Sequence, residues 1–285
     1  MPQTLGEIRE ELAARGIRPK HRFGQNFLHD HNQLRRLVAA SGAAAGDLVL
    51  EVGPGTGTLT ETLLDAGCEV VACEIDRDMA EIVRTRNAHR LGAGAGRVTV
   101  LLADCLDGKH ALGSEAFAAL GGRPFTLVAN LPYQAATPLM ATLLERHPEC
   151  RGQFATIQRE VADRLLAGAG DDAYGPISVT MALRAQVELV AVLSPGCFWP
   201  APKVTSAMVA IQPRAGGGVP EPWGEFGAFV QRVFGQRRKQ LGAILGRDAV
   251  AAAGFDPVRR PETLAPAEWI DLWRSTGGSR ENNPG

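Results

Sequence analysis

At 285 residues, 45% hydrophobic and 21% charged, the chain has the composition of a folded globular protein with room for one large domain and a smaller appendage. Its formal net charge of -1 excludes the overall basic excess common in nucleic-acid binders, so any such contact must rest on local basic clusters. Cys68, Cys73, Cys105, Cys150 and Cys197 form no CxxC pair and have no His at ligand spacing, so no metal site or disulfide framework is expected, and no run reaches the roughly 20 apolar residues of a membrane span. The cysteine pattern favours a reducing, cytoplasmic setting. Glu7, Glu10 and Glu11 near the start argue against a signal peptide.

In chain order, Thr4 to Glu7 has the spacing of a capping box, and Leu5, Ile8 and Leu12 share one helical face before Gly16 and Pro19 stop the helix. Residues 18–28 follow as a basic loop with interleaved aromatics, carrying Arg18, Lys20 and Arg22. It reads equally as a ligand clamp, a phosphate track or a solvated loop. His29 and His31 flank Asp30, which fits a capped helix start better than a metal site, and Leu34, Leu37 and Val38 continue that helix to Ser41.

Leu48 to Val52 reads as a buried strand, followed by the loop Gly53-Pro-Gly-Thr-Gly57 and a helix carrying Leu59, Leu63 and Leu64. Glycines let a ligand approach the backbone, and the helix start supplies free N–H groups. The spacing is GxGxG, not the GxGxxG of a dinucleotide fingerprint, which makes NAD the less favoured cofactor. A second strand ends at Glu74, about 20 residues past the glycine loop, where nucleoside-binding folds place a carboxylate on the ribose. A third ends at Asp104, which fits adenine recognition or a simple turn cap.

Phe125 to Ala129 is a fourth strand, and Asn130-Leu-Pro-Tyr133 closes it with groups suited to an amine, although Asn and Pro are also common turn formers. Thr137-Pro138 suits a helix start. A fifth strand at 154–157 and a helix at 158–166 complete an alternation that predicts a doubly wound parallel sheet with ligands at the strands' carboxyl ends. Beyond a helix from Pro176 to Leu183, late strands at 187–193 and 206–211, joined by an aromatic, proline-stiffened loop, predict an antiparallel finish. Phe198 and Trp199 in that loop fit either core plugs or platforms for a base. The linker 215–220 marks a boundary, giving domains of 1–214 and 215–285. The second reads as helical at 223–234, 237–245 and 267–275, with a basic cluster of Arg232, Arg237, Arg238 and Lys239 that suits phosphate contact or a solvated face. A disordered tail is expected from Gly277.

Taken together, residues 23–28 (FGQNFL), 51–57 (EVGPGTG), Glu74, 103–104, 130–133 (NLPY), 158–164, 198–206 (FWPAPKVTS) and 236–241 resemble the small-subunit ribosomal RNA adenine dimethyltransferases over nearly the whole chain. The resemblance implies a Rossmann-like class I α/β methyltransferase with a seven-stranded, mostly parallel sheet and a small helical C-terminal domain. It implies an S-adenosyl-L-methionine cofactor closed over by Asn26 and Leu28, met by Gly53 and Gly55, held at the ribose by Glu74 and at the adenine by Asp104. Asn130 then lies between cofactor and target, the backbone near Leu131-Pro132 supplies a second acceptor, Pro132 fixes the turn, and Tyr133 and Phe198 sandwich the extruded base. RNA contacts are expected from Arg18, Lys20, Arg22, Lys203, Arg237, Arg238 and Lys239, in a monomer acting on rRNA of an assembling small subunit. The chain departs from the family in its near-neutral charge and in the plain stretch Gln134 to Ala136.

Overall fold

Seven strands form the central sheet: β1 (Leu48–Val52), β2 (Glu69–Glu74), β3 (Val98–Leu102), β4 (Phe125–Asn130), β5 (Cys150–Gln158), β6 (Ala185–Leu193) and β7 (Ser206–Pro213). This computed structural model describes residues 3–108, 111–214 and 222–276; the expected linker at 215–220 and tail from Gly277 lie outside them. The strand order is β3-β2-β1-β4-β5-β7-β6. Pairing is parallel from β3 through β5, and β7 runs antiparallel to β5. The expected alternation and antiparallel finish are therefore present. Every residue of β1 and β2 is buried, so both sheet faces are covered there, which explains why these strands read as apolar runs without alternation.

One core cluster joins Leu34, Leu37 and Val38 of the helix His31–Ser41 and Leu59, Leu63 and Leu64 of the helix Thr58–Asp65 to Val49, Val70, Val128, Phe154 and Met208 of the sheet. Full burial of each such side chain contributes about 1.5–3 kcal/mol, which is what holds the strand ends in register. Asp30 caps the helix His31–Ser41 by accepting from the Asn32 and Gln33 N–H groups, as its flanking histidines suggested. Thr4 and Glu7 form the full capping box of the arm helix Leu5–Ala14, whose Ile8 and Leu12 pack with Phe27, Met79 and Ile82.

The chain forms two units, residues 1–162 with 188–213, and residues 163–187 with 214–285. This differs from a single cut at 214/215. Tyr174 and Val179 share the second unit's core with Trp223, Phe226, Phe234, Leu264, Trp269 and Trp273, and the Tyr174 hydroxyl donates to the Leu264 carbonyl at 2.9 Å. The aromatic core recruits a segment from before the late strands, a pairing that local sequence cannot reveal. The basic stretch at 237–239 is also not helical. The helix Trp223–Phe234 gives way at Gly235, and Arg237 and Lys239 donate from their backbones to Phe234 and Gln236 in tight turns before the short helix Leu241–Leu245.

Candidate active site

In a sheet of this order the crevice lies between β1 and β4, whose outgoing connections diverge. The Gly53 to Gly57 loop leaves β1 there and Asn130 ends β4. Gly53, Gly55 and Gly57 all have positive φ, at 70°, 57° and 90°, which bends the loop tightly before the helix Thr58–Asp65. The loop also packs without room for side chains. A Cβ on Gly53 would lie 2.9 Å from Cγ of Pro132, and one on Gly55 would lie 2.7 Å from Cδ1 of Phe27. The glycine loop, the β4 tetrapeptide and the N-terminal arm therefore meet at one place.

Glu74 ends β2 beside the glycine loop. Its Oε2 accepts the Gly55 N–H at 3.2 Å and its Oε1 the Asp76 N–H at 2.9 Å, and the side chain is almost wholly buried. Burial raises its carboxyl pKa, and the backbone N–H groups of Asp76, Gly55 and Ile75 offset part of the effect while the Asp76 charge adds to it. A desolvated carboxylate with spare lone pairs and, among the described residues, no cation on it suits neutral hydroxyl donors such as a ribose diol. Behind it, Glu51 is more deeply enclosed. Thr60 Oγ1 donates to Glu51 Oε2 at 2.6 Å, and burial pushes the carboxyl pKa up to about 8. Asp104 is exposed at the end of β3, where its Oδ1 caps a turn by accepting the Leu106 N–H at 2.9 Å. Its other oxygen takes no donor among the described residues, so the turn-cap and ligand readings are compatible.

Asn130 is the last residue of β4 and Tyr133 the first of the helix Tyr133–Arg146, so the tetrapeptide turns from strand to helix in two residues. The helix begins earlier than Thr137-Pro138 indicated, and Pro138 lies inside it; the Ala135 and Ala136 N–H groups on the Pro132 carbonyl start the first turn. Asn130 Nδ2 donates to the Asn26 carbonyl at 2.9 Å. A carbonyl only accepts, so the amide atom facing it must be nitrogen and Oδ1 faces away. Among the described residues no donor reaches that oxygen. The Leu131 N–H is held by the Thr156 carbonyl at 3.1 Å, which fixes the adjoining peptide.

The other expected site residues fall as follows. Leu28 and Phe198 are register partners in a two-stranded ladder that also pairs Phe27 with Trp199, and both are buried in the main core cluster. Phe198 is 4% exposed, so in this structure it is a core side chain bordering the site. Tyr133 is half-buried, and burial raises its phenol pKa while the Ser206 hydroxyl beside it opposes the shift. Asn26 holds its own turn, Nδ2 donating to the Gly24 carbonyl at 3.1 Å. Arg18, Arg22 and Lys203 are exposed, as are Arg237, Arg238 and Lys239 in the second unit. Lys20 differs. Its ammonium lies 2.8 Å from Asp76 Oδ1 and 2.7 Å from Asp78 Oδ2, which neutralises the charge expected to meet RNA.

Sequence reasoning missed Asp76, Gln25 and Thr156. Asp76 caps the helix Arg77–Arg86, and it also binds Lys20 and accepts from Gln25 Nε2 at 2.8 Å. Nothing local signals partners more than fifty residues away. No group of three or more His, Cys, Asp or Glu residues able to hold a metal occurs among the described residues.

A profile of the ribosomal RNA adenine dimethylase family matches residues 16–269. A Bifidobacterium adolescentis protein named ribosomal RNA small subunit methyltransferase A is 40% identical over 283 residues, covering 94% of this chain and 92% of that protein. A Methylococcus capsulatus protein of the same name is 39% identical over 273 residues, covering 93% of this chain and 98% of its own. In three dimensions, the crystal structure of a dimethyladenosine transferase from Plasmodium falciparum superposes with a TM-score of 0.72 at 22% identity, covering 88% of this chain and 98% of that one, which supports the class I methyltransferase fold. With a family match over most of its length and relatives this similar end to end, the chain belongs to the ribosomal RNA adenine dimethylase family.

Proposed function

We propose that this chain dimethylates the N6 amines of two adjacent adenosines near the 3′ end of small-subunit rRNA during subunit assembly, using S-adenosylmethionine. Family membership supports adenine dimethylation of rRNA, and the names of the relatives support the small subunit as its location. The observation that carries the site assignment is the Asn130–Asn26 hydrogen bond, which leaves the Asn130 oxygen without a donor among the described residues.

The donor set fits the cofactor. Glu74 takes the ribose hydroxyls, Gly53 and Gly55 give backbone access, Asp104 meets the adenine, and Asn26 and Leu28 border the site from the arm. When bound, S-adenosylmethionine supplies an electrophilic methyl on a sulfonium. The protein's task is then the amine. An aromatic N6 amine is a weak nucleophile because its lone pair is delocalised into the ring. Accepting its two N–H bonds at Asn130 Oδ1 and the Leu131 carbonyl favours the pyramidal form, whose lone pair is free to attack. In the second transfer one N–H remains and one acceptor suffices. No strong base is required, since the nitrogen becomes cationic before its proton leaves to water. Orientation supplies most of the acceleration. Tyr133 and Phe198 hold the base, each stack contributing roughly 1–3 kcal/mol. Because Phe198 is so enclosed, a base reaches its face only with local displacement of the 198–199 ladder.

Incubating immature small subunits with methyl-labelled cofactor and mapping the product by nucleotide tests the proposal. Dimethyladenosine at two neighbouring positions near the 3′ end is the expected result. Label confined to large-subunit RNA would overturn it.

A further inference from the structure

We propose that Lys20 is a positioning residue for methyl transfer, acting through Asp76, Gln25 and the Asn26 carbonyl to set the Asn130 amide, and is not a phosphate contact. The proposal rests on reading Asn130 as the amine acceptor.

Two carboxylates already claim the lysine. Lys20 Nζ reaches Asp76 Oδ1 at 2.8 Å and Asp78 Oδ2 at 2.7 Å, and Asp76 is 3% exposed against 29% for Lys20. An ammonium has three N–H donors and two are committed here. Two carboxylates around one cation leave a negative local balance, which repels a phosphate. Hydrogen bonds from Lys20 and Gln25 hold the Asp76 carboxyl below the usual carboxylate range against the opposing effect of burial, so the pair is ionised at neutral pH.

The contacts form a closed circuit. Asp76 Oδ2 accepts from Gln25 Nε2 at 2.8 Å, and Gln25 Oε1 accepts the Lys20 backbone N–H at 2.7 Å. Lys20, Asp76 and Gln25 thus tie both ends of a six-residue loop to one buried carboxylate. Gly24 turns inside that loop with φ 63°, and Asn26 follows directly, its carbonyl receiving Asn130 Nδ2 at 2.9 Å. Where the loop sits decides where that carbonyl sits. The carbonyl in turn decides which end of the Asn130 amide faces the crevice: with it in place the oxygen points outward, and without it a half-turn about the last torsion presents NH2, which repels an amine. The Asp76 N–H also donates to Glu74 Oε1 at 2.9 Å, so the same carboxylate residue that anchors the arm orients the expected ribose acceptor. One latch therefore joins the cofactor side of the site to the acceptor side.

Lys20→Met, Lys20→Arg and wild type decide it, with three readouts: kcat at saturating RNA, the salt dependence of RNA binding, and amide hydrogen exchange over residues 22–28 with and without S-adenosylhomocysteine. In Lys20→Met, kcat is expected to fall by about tenfold or more, the salt slope to stay at the wild-type value, and exchange over 22–28 to rise; Lys20→Arg, which can still bridge both carboxylates, restores most of the rate. A salt slope reduced by about one with kcat intact would make Lys20 a phosphate contact and overturn the proposal. So would unchanged exchange over 22–28, a result that stands even if wild type proves to methylate a different RNA, in which case the functional reading fails separately. If Lys20→Met does not fold, Gln25→Leu keeps the ion pairs but removes the second strut, and the same pattern of lowered kcat with an unchanged salt slope is expected.

Discussion

Asn130 and Asn26, 104 positions apart in the chain, meet in one hydrogen bond of 2.9 Å that turns the Asn130 amide oxygen away from the Asn26 carbonyl. The bond's polarity follows from chemistry alone, because a backbone carbonyl cannot donate. On the proposed function, the arm would act on the chemistry through this carbonyl and not through a side chain of its own.

Replacing Asn130 tests that relationship directly. Asn130→Asp keeps the shape but sets a carboxylate oxygen against the Asn26 carbonyl, and Asn130→Ala removes the acceptor. Both are expected to lower kcat by about 10²–10³, the scale of losing one positioned catalytic hydrogen bond. Affinity for S-adenosylhomocysteine, measured by calorimetry, should change far less. Near-normal turnover in either variant would contradict amine activation by this amide.

Glu51 should leave a signature in the pH dependence of stability. Its carboxyl titrates near 4.5 when unfolded and is pushed up to about 8 by burial, so between those values the folded state binds the extra proton. Stability from this group is full below about pH 4.5 and is lost as pH rises toward and through 8. Glu51→Gln can still accept from Thr60 but carries no proton to lose. Melting temperatures of wild type and Glu51→Gln should therefore diverge with rising pH, the variant gaining on wild type between about pH 4.5 and 8 and the difference levelling off above that. Parallel curves across that range would remove the buried-acid account.

At Gly55 the glycine requirement is twofold, a φ of 57° and a Cβ that would stand 2.7 Å from the Phe27 ring. Gly55→Ala is expected to destabilise the protein by about 1–3 kcal/mol and to weaken cofactor binding more than RNA binding. Gly42, with φ 64° and open space around its Cβ position, serves as a control for backbone strain alone. If both alanine variants showed the same drop in stability, the close approach of Phe27 would not be the cause.

Arg237, Arg238 and Lys239 are exposed on a turn, and no carboxylate pairs with them among the described residues, the Lys239 ammonium donating only to the neutral Gln236 Oε1 at 3.1 Å. Changing all three to Gln is expected to reduce the magnitude of the salt slope of RNA binding by about 2–3, at roughly 0.7–0.9 for each phosphate no longer neutralised. Melting temperature and cofactor affinity should hold, because none of the three is part of a core. An unchanged slope would reduce the cluster to a solvated face.

The sequence by itself determined the order of strands and helices, the carboxyl-end positions of Gly53, Glu74, Asp104 and Asn130, and the capping of the first two helices. Those features are legible because they are local: apolar runs, glycine at positive φ, and a capping side chain all act within a few residues. Alternation implies a parallel sheet but not which strands are neighbours, so the pairing of β1 with β4 that brings the Gly53 loop against Pro132 belongs to the fold. Only the tertiary structure decided the rest. It drew residues 163–187 into the second unit through Tyr174, turned the 237–239 segment out of its helix at Gly235, buried Phe198 beside Leu28, and neutralised Lys20 between Asp76 and Asp78. Each of these depends on a partner distant in sequence or on how a chain end is capped in space. A lysine in a basic loop reads as free charge until the fold sets carboxylate oxygens at 2.8 and 2.7 Å from it.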